Sequence, residues 1–248
     1  MNVVDTIRAA STPLVLPARA AHALWAATYD DIPNPLLALE GRTVAAMLPS
    51  LEGKFVLDVA CGTGRWLGRL FARGARSGVG VDFSPEMLGK AQKQASLQGR
   101  LICADCVALP LQEGIADLAI CSFAVDYVEN LDRLARELSR IVRDGGDLFL
   151  ADFHPSAYGR GWRRSFRYGE HLVEIASCRH SLSRVSGAFV AQGFRLETCV
   201  SPCLGEAEKL LFDRCEKRRL FDAACQGPAI FVFHFRLTDT DSLKEQRN

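Results

Sequence analysis

The chain is expected to fold as an α/β domain: a doubly wound, mostly parallel seven-stranded sheet with helices on both faces and a small cap insertion. Three observations predict it. Short apolar strands alternate with helical patterns along most of the 248 residues. The first clear strand, Phe55 to Val59, breaks into the small-residue turn Ala60-Cys61-Gly62-Thr63-Gly64, and a helix follows with Trp66, Leu67, Leu70 and Phe71 on one face. The next strand, Gly78 to Asp82, ends on an acid 18 positions after Gly64.

Composition narrows the class. The net charge is +1 and no long basic or acidic run exists, so generic nucleic-acid binding is not expected. Most of the nine cysteines sit inside apolar runs as small hydrophobes, which suits a reducing cytoplasm. The N-terminus lacks both a basic leader and a long apolar core, and no run approaches membrane-span length, so a soluble cytoplasmic protein is expected. Cys103 and Cys106 form a Cys-x-x-Cys pair, but no second Cys or His pair at metal spacing accompanies it. Both are read as structural, and no metal is expected.

Residues 1–50 read as an N-terminal helical arm or lid, 51–238 as the main domain with a cap insertion at about 154–180, and 239–248 as a flexible tail. Up to about residue 19 there is no firm periodicity, which suggests a mobile arm. Helices are expected from Ala20 to Tyr29 and from Leu36 to Leu48, the second after Pro33 and Pro35. Ser84-Pro85 should cap a helix through about Leu97. Leu101 to Ala104 and Leu118 to Phe123 read as strands three and four. Leu131, Leu134, Leu138, Ile141 and Val142 mark a helix closed by Asp144-Gly145-Gly146, and Asp147 to Phe153 is strand five. A hairpin is expected to turn at Gly169-Glu170 inside the cap. Ser181 caps a helix to Gly193, Phe194 to Val200 is strand six, Glu206 to Ala224 a charged helix, and Ala229 to Phe235 the last strand.

Strand, glycine turn and helix make a nucleotide-cradling unit, because Gly62 and Gly64 let the backbone approach a ligand that any Cβ would hold off. Asp82 at the next strand tip can accept from both ribose hydroxyls. Two details choose among adenosine cofactors. A dinucleotide fingerprint would carry a third small residue where Leu67 stands. Asp58, inside the strand end, would repel a pyrophosphate but welcome an ammonium. S-adenosylmethionine has an ammonium, a sulfonium and no phosphate, so the charge pattern favours it over NAD.

Asp58-Val-Ala-Cys-Gly-Thr-Gly64 resembles the first motif of the class I (Rossmann-like) S-adenosylmethionine-dependent methyltransferases. It is similar in particular to the small-molecule group that includes quinone- and biotin-pathway enzymes. Ala60 stands where many members have a first glycine, and the resemblance runs from about Tyr29 to Phe153. It implies that Tyr29 belongs to a lid over the cofactor, with Asp30 beside it, the plain alternative being that Trp25 and Tyr29 dock their helix on the domain. It also implies that Asp105 accepts from the adenine amine and that the Cys106 backbone N–H reaches a ring nitrogen. Ser122, at the end of strand four, joins this cofactor set. Phe83 and Met87 can pack on the adenine or serve as ordinary core.

A methyl donor of this kind mainly needs its acceptor aligned and water excluded. Where a base is required, His154 is the first candidate, since it sits at the tip of strand five and titrates near neutrality. Asp126 and Tyr127 follow as acceptor-orienting groups, His171 and His180 are weaker, and His22 and His234 read as structural. Arg160, Arg163, Arg164, Arg167 and Arg179 in the cap favour an anionic acceptor, the plain alternative being a solvated edge or dimer contact. The function expected is methyl transfer from S-adenosylmethionine to a small-molecule acceptor by a monomer or homodimer. A non-catalytic cofactor-binding scaffold and an NAD-dependent oxidoreductase are the alternatives.

Overall fold

The computed structural model describes residues 12–215 and 217–238. The expected tail at 239–248 and the first part of the arm lie outside the described residues. From the N-terminal side come β1 (Leu14–Leu16), α1 (Ala18–Trp25), α2 (Pro35–Met47), β2 (Phe55–Val59), α3 (Arg65–Ala72) and β3 (Ser77–Asp82). Next are α4 (Pro85–Ala91), β4 (Leu101–Cys103), β5 (Ala116–Ser122), α5 (Leu131–Ile141) and β6 (Val142–Phe153). The remainder holds α6 (Pro155–Gly159), β7 (Ser165–Tyr168), β8 (His171–Ile175), α7 (Leu182–Val190), β9 (Phe194–Val200), α8 (Glu206–Arg214), α9 (Phe221–Ala224) and β10 (Ile230–Leu237).

Capping chemistry sets several helix starts. Asn34 accepts from the Leu36 N–H at 3.0 Å with Pro35 in the first turn, and Ser84 accepts from Met87 at 3.3 Å ahead of Pro85. Asn130 and Ser181 do the same for α5 and α7.

The main sheet has seven strands in the order β4-β3-β2-β5-β6-β10-β9, and only β10 runs against its neighbours. Its central strands are buried on both faces, as a doubly wound sheet requires. In β5, Leu118 and Ile120 enter one core with Trp66, Phe149 and Phe212, while Ala119 and Cys121 enter the other with Leu134, Leu138 and Phe189. The strand order reverses direction between β2 and β5, so a crevice opens beyond their C-terminal ends.

Four expectations are corrected. The helix after Ser84 ends at Ala91, and a separate 3₁₀ turn covers Ala95–Leu97. Asp144-Gly145-Gly146 does not close α5, which stops at Ile141. The glycines bulge the start of β6, where pairing jumps from Ala116↔Val142 to Leu118↔Asp147. Gly145 takes φ +70°, and a Cβ on Gly146 would lie 2.8 Å from the Arg143 carbonyl. The charged helix from Glu206 breaks after Arg214, with a 3₁₀ turn at Arg218–Leu220 before α9.

The fourth concerns the arm. Leu14–Leu16 is a strand, pairing parallel with β8 from Leu14↔Val173 to Leu16↔Ile175, and α1 begins at Ala18. The hairpin at Gly169-Glu170 forms as expected from β7 and β8. Arm and hairpin together make one three-stranded sheet, β1-β8-β7. Ala21 and Trp25 of α1 close it with Phe166, Val173 and Ile175, the Trp25 and Phe166 rings stacking 4.8 Å apart.

Candidate functional site

The turn after β2 is held by two carboxylates. Asp58 accepts from the Leu67 N–H at 2.9 Å, tying the strand end to the first turn of α3. Asp82 accepts from Gly62 at 2.8 Å and from Ser84 at 2.8 Å, tying β3 to the turn. Gly62 and Gly64 sit at φ +55° and +83°, and Ala60 at +54°, so an alanine occupies a left-handed position that its Cβ disfavours. A Cβ on Gly62 would point into open space, whereas on Gly64 it would meet Leu97 Cδ1 at 2.3 Å. Gly62 therefore faces the crevice and Gly64 faces the core. Burial pushes Asp58 up to about 7, against the Leu67 hydrogen bond and nearby Arg65, and it also raises Asp82.

Three adjoining spaces lie along the strand ends. The largest, about 320 Å³, is lined by Ala60, Asp82, Phe83, Asp105, Cys106 and Tyr127, among others. A second, about 40 Å³, lies over the glycine turn between Tyr29, Leu37, Asp58, Gly62, Arg65, Ser122 and Phe123. The third, about 20 Å³, sits under the arm between His22, Trp25, Tyr29, Phe123, Tyr127 and Arg164. Ala60 borders the first and second spaces, Tyr29 and Phe123 the second and third, and Tyr127 the first and third.

Ten of the sequence-predicted residues thus meet in one cleft: Tyr29, Asp58, Ala60, Gly62, Asp82, Phe83, Asp105, Cys106, Ser122 and Tyr127. Gly64, Met87, Asp126 and His154 line none of these three spaces. Met87 is buried in α4, so of its two readings the core one holds. His154 caps α6: its Nδ1 accepts from the Ser156 N–H at 3.2 Å and lies 2.8 Å from the Ser156 hydroxyl, and burial with Arg160 lowers its pKa. Asp126 is buried, accepting from the Tyr158 hydroxyl at 2.7 Å and the His180 N–H at 3.3 Å.

Three contributors escaped sequence reasoning. Phe123 sits at φ +56° just past β5, a strained conformation that turns its ring into the cleft. Arg65 joins a buried group in which Glu40 accepts from Trp66 Nε1 at 2.6 Å and Ser122 Oγ at 2.8 Å and pairs with Arg65 at 2.8 Å. Arg65 Nη1 is itself buried with no hydrogen-bond partner among the described residues. His22 had a signal in its three-residue spacing from Trp25, one turn of the same helix.

The lid is bolted to the sheet by Arg164, which is 1% exposed. Its guanidinium meets Asp152, lies 3.7 Å from Asp126, and donates to the Tyr158 hydroxyl and the Phe123 carbonyl. The other cap arginines also have protein partners: Arg160 with Ser156 and the Pro228 carbonyl, Arg163 and Arg179 with Glu174, and Arg167 within the fold. The arm is tied to the glycine turn by Thr63 donating to Asp30 at 3.1 Å. Among the described residues no cluster could hold a metal ion, and no helix is long and apolar enough to cross a membrane.

Residues 57–150 match the family described as methyltransferase domain. The chain is 32% identical over 169 residues to a malonyl-[acyl-carrier protein] O-methyltransferase of Pectobacterium atrosepticum, covering 63% of this chain and 66% of that protein. It spans two thirds or less of the length of the first curated relatives it matches. Its fold is similar to an S-adenosylmethionine-dependent methyltransferase from Mesorhizobium loti, with TM-score 0.62 and 22% identity over 79% of this chain and 97% of that one. It is also similar to the [4+2]-cyclase SpnF, with TM-score 0.64 and 16% identity over 92% and 99%. The expected class I methyltransferase fold is borne out.

Proposed function

We propose that this chain, built around a class I S-adenosylmethionine-dependent methyltransferase domain, transfers a methyl group from that cofactor to a small-molecule acceptor. The observation that carries the reading is the run of adjoining spaces from Asp105 past the glycine turn to Tyr29 and His22. The residues present fit the cofactor. Gly62 leaves open space where a Cβ would stand, and Arg65 offers a buried nitrogen with no protein partner. Asp82 would hold the ribose hydroxyls, Asp105 the adenine amine, and the Cys106 N–H a ring nitrogen. Asp58 would face the ammonium and Arg65 the carboxylate. The cofactor supplies, when bound, an electrophilic methyl group on sulfur.

The chain itself has to orient the acceptor and keep water out. Tyr29, Phe123 and Tyr127 form the apolar walls for this, and His22 and Trp25 of the arm with Arg164 of the cap close the space. The acceptor read here is apolar rather than anionic, because each cap arginine is already engaged within the protein. Nine cysteines among the 248 residues, none bonded to another where described, support a reducing cytoplasm as the site of action. A reading without methyl transfer also has support, since the same fold serves a protein named as a cyclase.

Calorimetric titration with S-adenosylmethionine and S-adenosylhomocysteine, with NADH as control, tests the cofactor. Micromolar binding of the first two and none of NADH is expected, followed by a methyl-sized mass gain on an acceptor from a screened panel. Binding of NADH alone would overturn the reading.

A further inference from the structure

We propose that His22, on the N-terminal helix, takes the acceptor's proton, and that the acceptor is a phenol-type molecule presenting an O–H to its Nε2. This rests on the methyl-transfer reading above and adds the acceptor class and the proton's destination. His22 Nδ1 lies 2.7 Å from the Ala18 carbonyl in the preceding helical turn, so Nδ1 carries the hydrogen and Nε2 the lone pair. Nε2 makes no hydrogen bond with any described residue. The ring stands at the junction of the two ligand spaces. It meets Tyr127 edge-on at 5.1 Å and Phe83 at 6.2 Å, both on the nucleotide side, while lining the acceptor side with Trp25.

Its surroundings keep it neutral. Burial and Arg164 push His22 down to about 4. The charged and titratable groups around this space are Arg164 from the cap, Tyr29 from the arm and Tyr127 from the turn after β5, with Asp126 and Asp152 balancing Arg164. The same cation disfavours an ammonium-bearing acceptor, and a carboxylate acceptor has no proton to give up. The aromatic walls suit a flat ring. As the acceptor oxygen bonds the methyl carbon, the carbon–sulfur bond breaks and its electron pair stays on sulfur. The oxygen then holds a strongly acidic proton, so a weakly basic imidazole suffices to take it, and His22 passes it on to water.

The third space, at about 20 Å³, has room for roughly one water, so a ring-bearing acceptor enters only if the arm moves outward.

The test uses the full chain with ¹⁵N-labelled histidine, saturated with S-adenosylhomocysteine as verified by calorimetry. There are five histidines, and His22→Gln assigns the signal. p-Cresol should shift the His22 Nε2 resonance, while 4-methylanisole, which lacks the proton, should not. His22→Ala should weaken p-cresol binding about tenfold with S-adenosylhomocysteine affinity unchanged, the loss expected for one hydrogen bond. Equal shifts from both compounds, no shift, or a response at His154 or His180 instead would overturn the assignment and leave the methyl-transfer reading standing. Failure of S-adenosylhomocysteine to bind would remove both.

Discussion

The nucleotide half of the cleft and its lid are built by different means. The first uses short-range backbone geometry: a strand end, a turn at positive φ, and two acids that accept from backbone N–H groups within 20 residues. The lid uses partners far apart in sequence. β1 pairs with β8 across more than 150 residues, and Arg164 reaches Asp126 in the turn after β5 as well as the nearer Asp152 on β6. The first half suits the cofactor proposed above, and the lid is fastened at a few points. Such a lid also opens at lower cost than the sheet.

The comparison is broken most severely at Arg164. Arg164→Ala leaves two buried carboxylates without their cation and should cost about 3–5 kcal/mol. Thermal unfolding should fall by roughly 10 °C, and Trp25 should become more solvent-exposed by fluorescence quenching. If the two halves are separable, S-adenosylhomocysteine still binds the folded variant. A variant that loses the cofactor without exposing Trp25 would refute that separation.

Asp82→Asn attacks the other half. It weakens contacts to the ribose while its amide oxygen can keep one of the two backbone bonds, so affinity for S-adenosylhomocysteine should drop about 100-fold, and the backbone N–H left unpaired should cost about 1–3 kcal/mol in unfolding. Unchanged affinity would show that β3 does not present this residue to the ligand.

A smaller effect is set by pH. Asp58 must ionise to meet an ammonium, and its pKa is raised to about 7. Cofactor affinity should therefore fall by up to tenfold for each unit below pH 7, and binding near pH 6.5 should release a proton. Calorimetry in buffers of different ionisation enthalpy measures that release, and Asp58→Asn should abolish the slope. In the free protein the sign is the reverse. The unfolded chain ionises Asp58 from about 4, so its contribution to stability is lost as pH rises from there through 7.

The smallest effect separates two strained positions. Ala60→Gly relieves a Cβ at φ +54° and should stabilise the protein by about 0.5–1 kcal/mol after the extra chain entropy of glycine. Phe123→Gly relieves similar strain at φ +56° but removes a ring packed against the core and a wall of the cleft, so it should destabilise the protein and weaken acceptor binding. Chemical denaturation measures the first and p-cresol titration the second.

Legibility followed the range of the interactions. Asp58, Gly62, Asp82 and Asp105 could be placed because strand periodicity and a turn of small residues put them at strand tips, whatever the rest of the chain does. His154 was equally legible as a strand-tip residue, yet its side chain turns back onto Ser156, a choice made by the local cap. Gly64 and Gly62 look alike in the sequence, and only the packing of Leu97 tells which one faces the core.

By itself the sequence determined the alternating strands and helices, the glycine turn and the acids that point to an adenosyl cofactor with an ammonium. Those signals are local and periodic, and need no knowledge of distant partners. Only the tertiary structure decided that residues 14–16 complete the cap sheet, that the cap arginines are used within the protein, and that His22 rather than His154 borders the space under the arm. Such facts depend on which segments meet once the chain has folded, across more than 150 residues for β1 and β8, and periodicity along one segment carries no record of its partner.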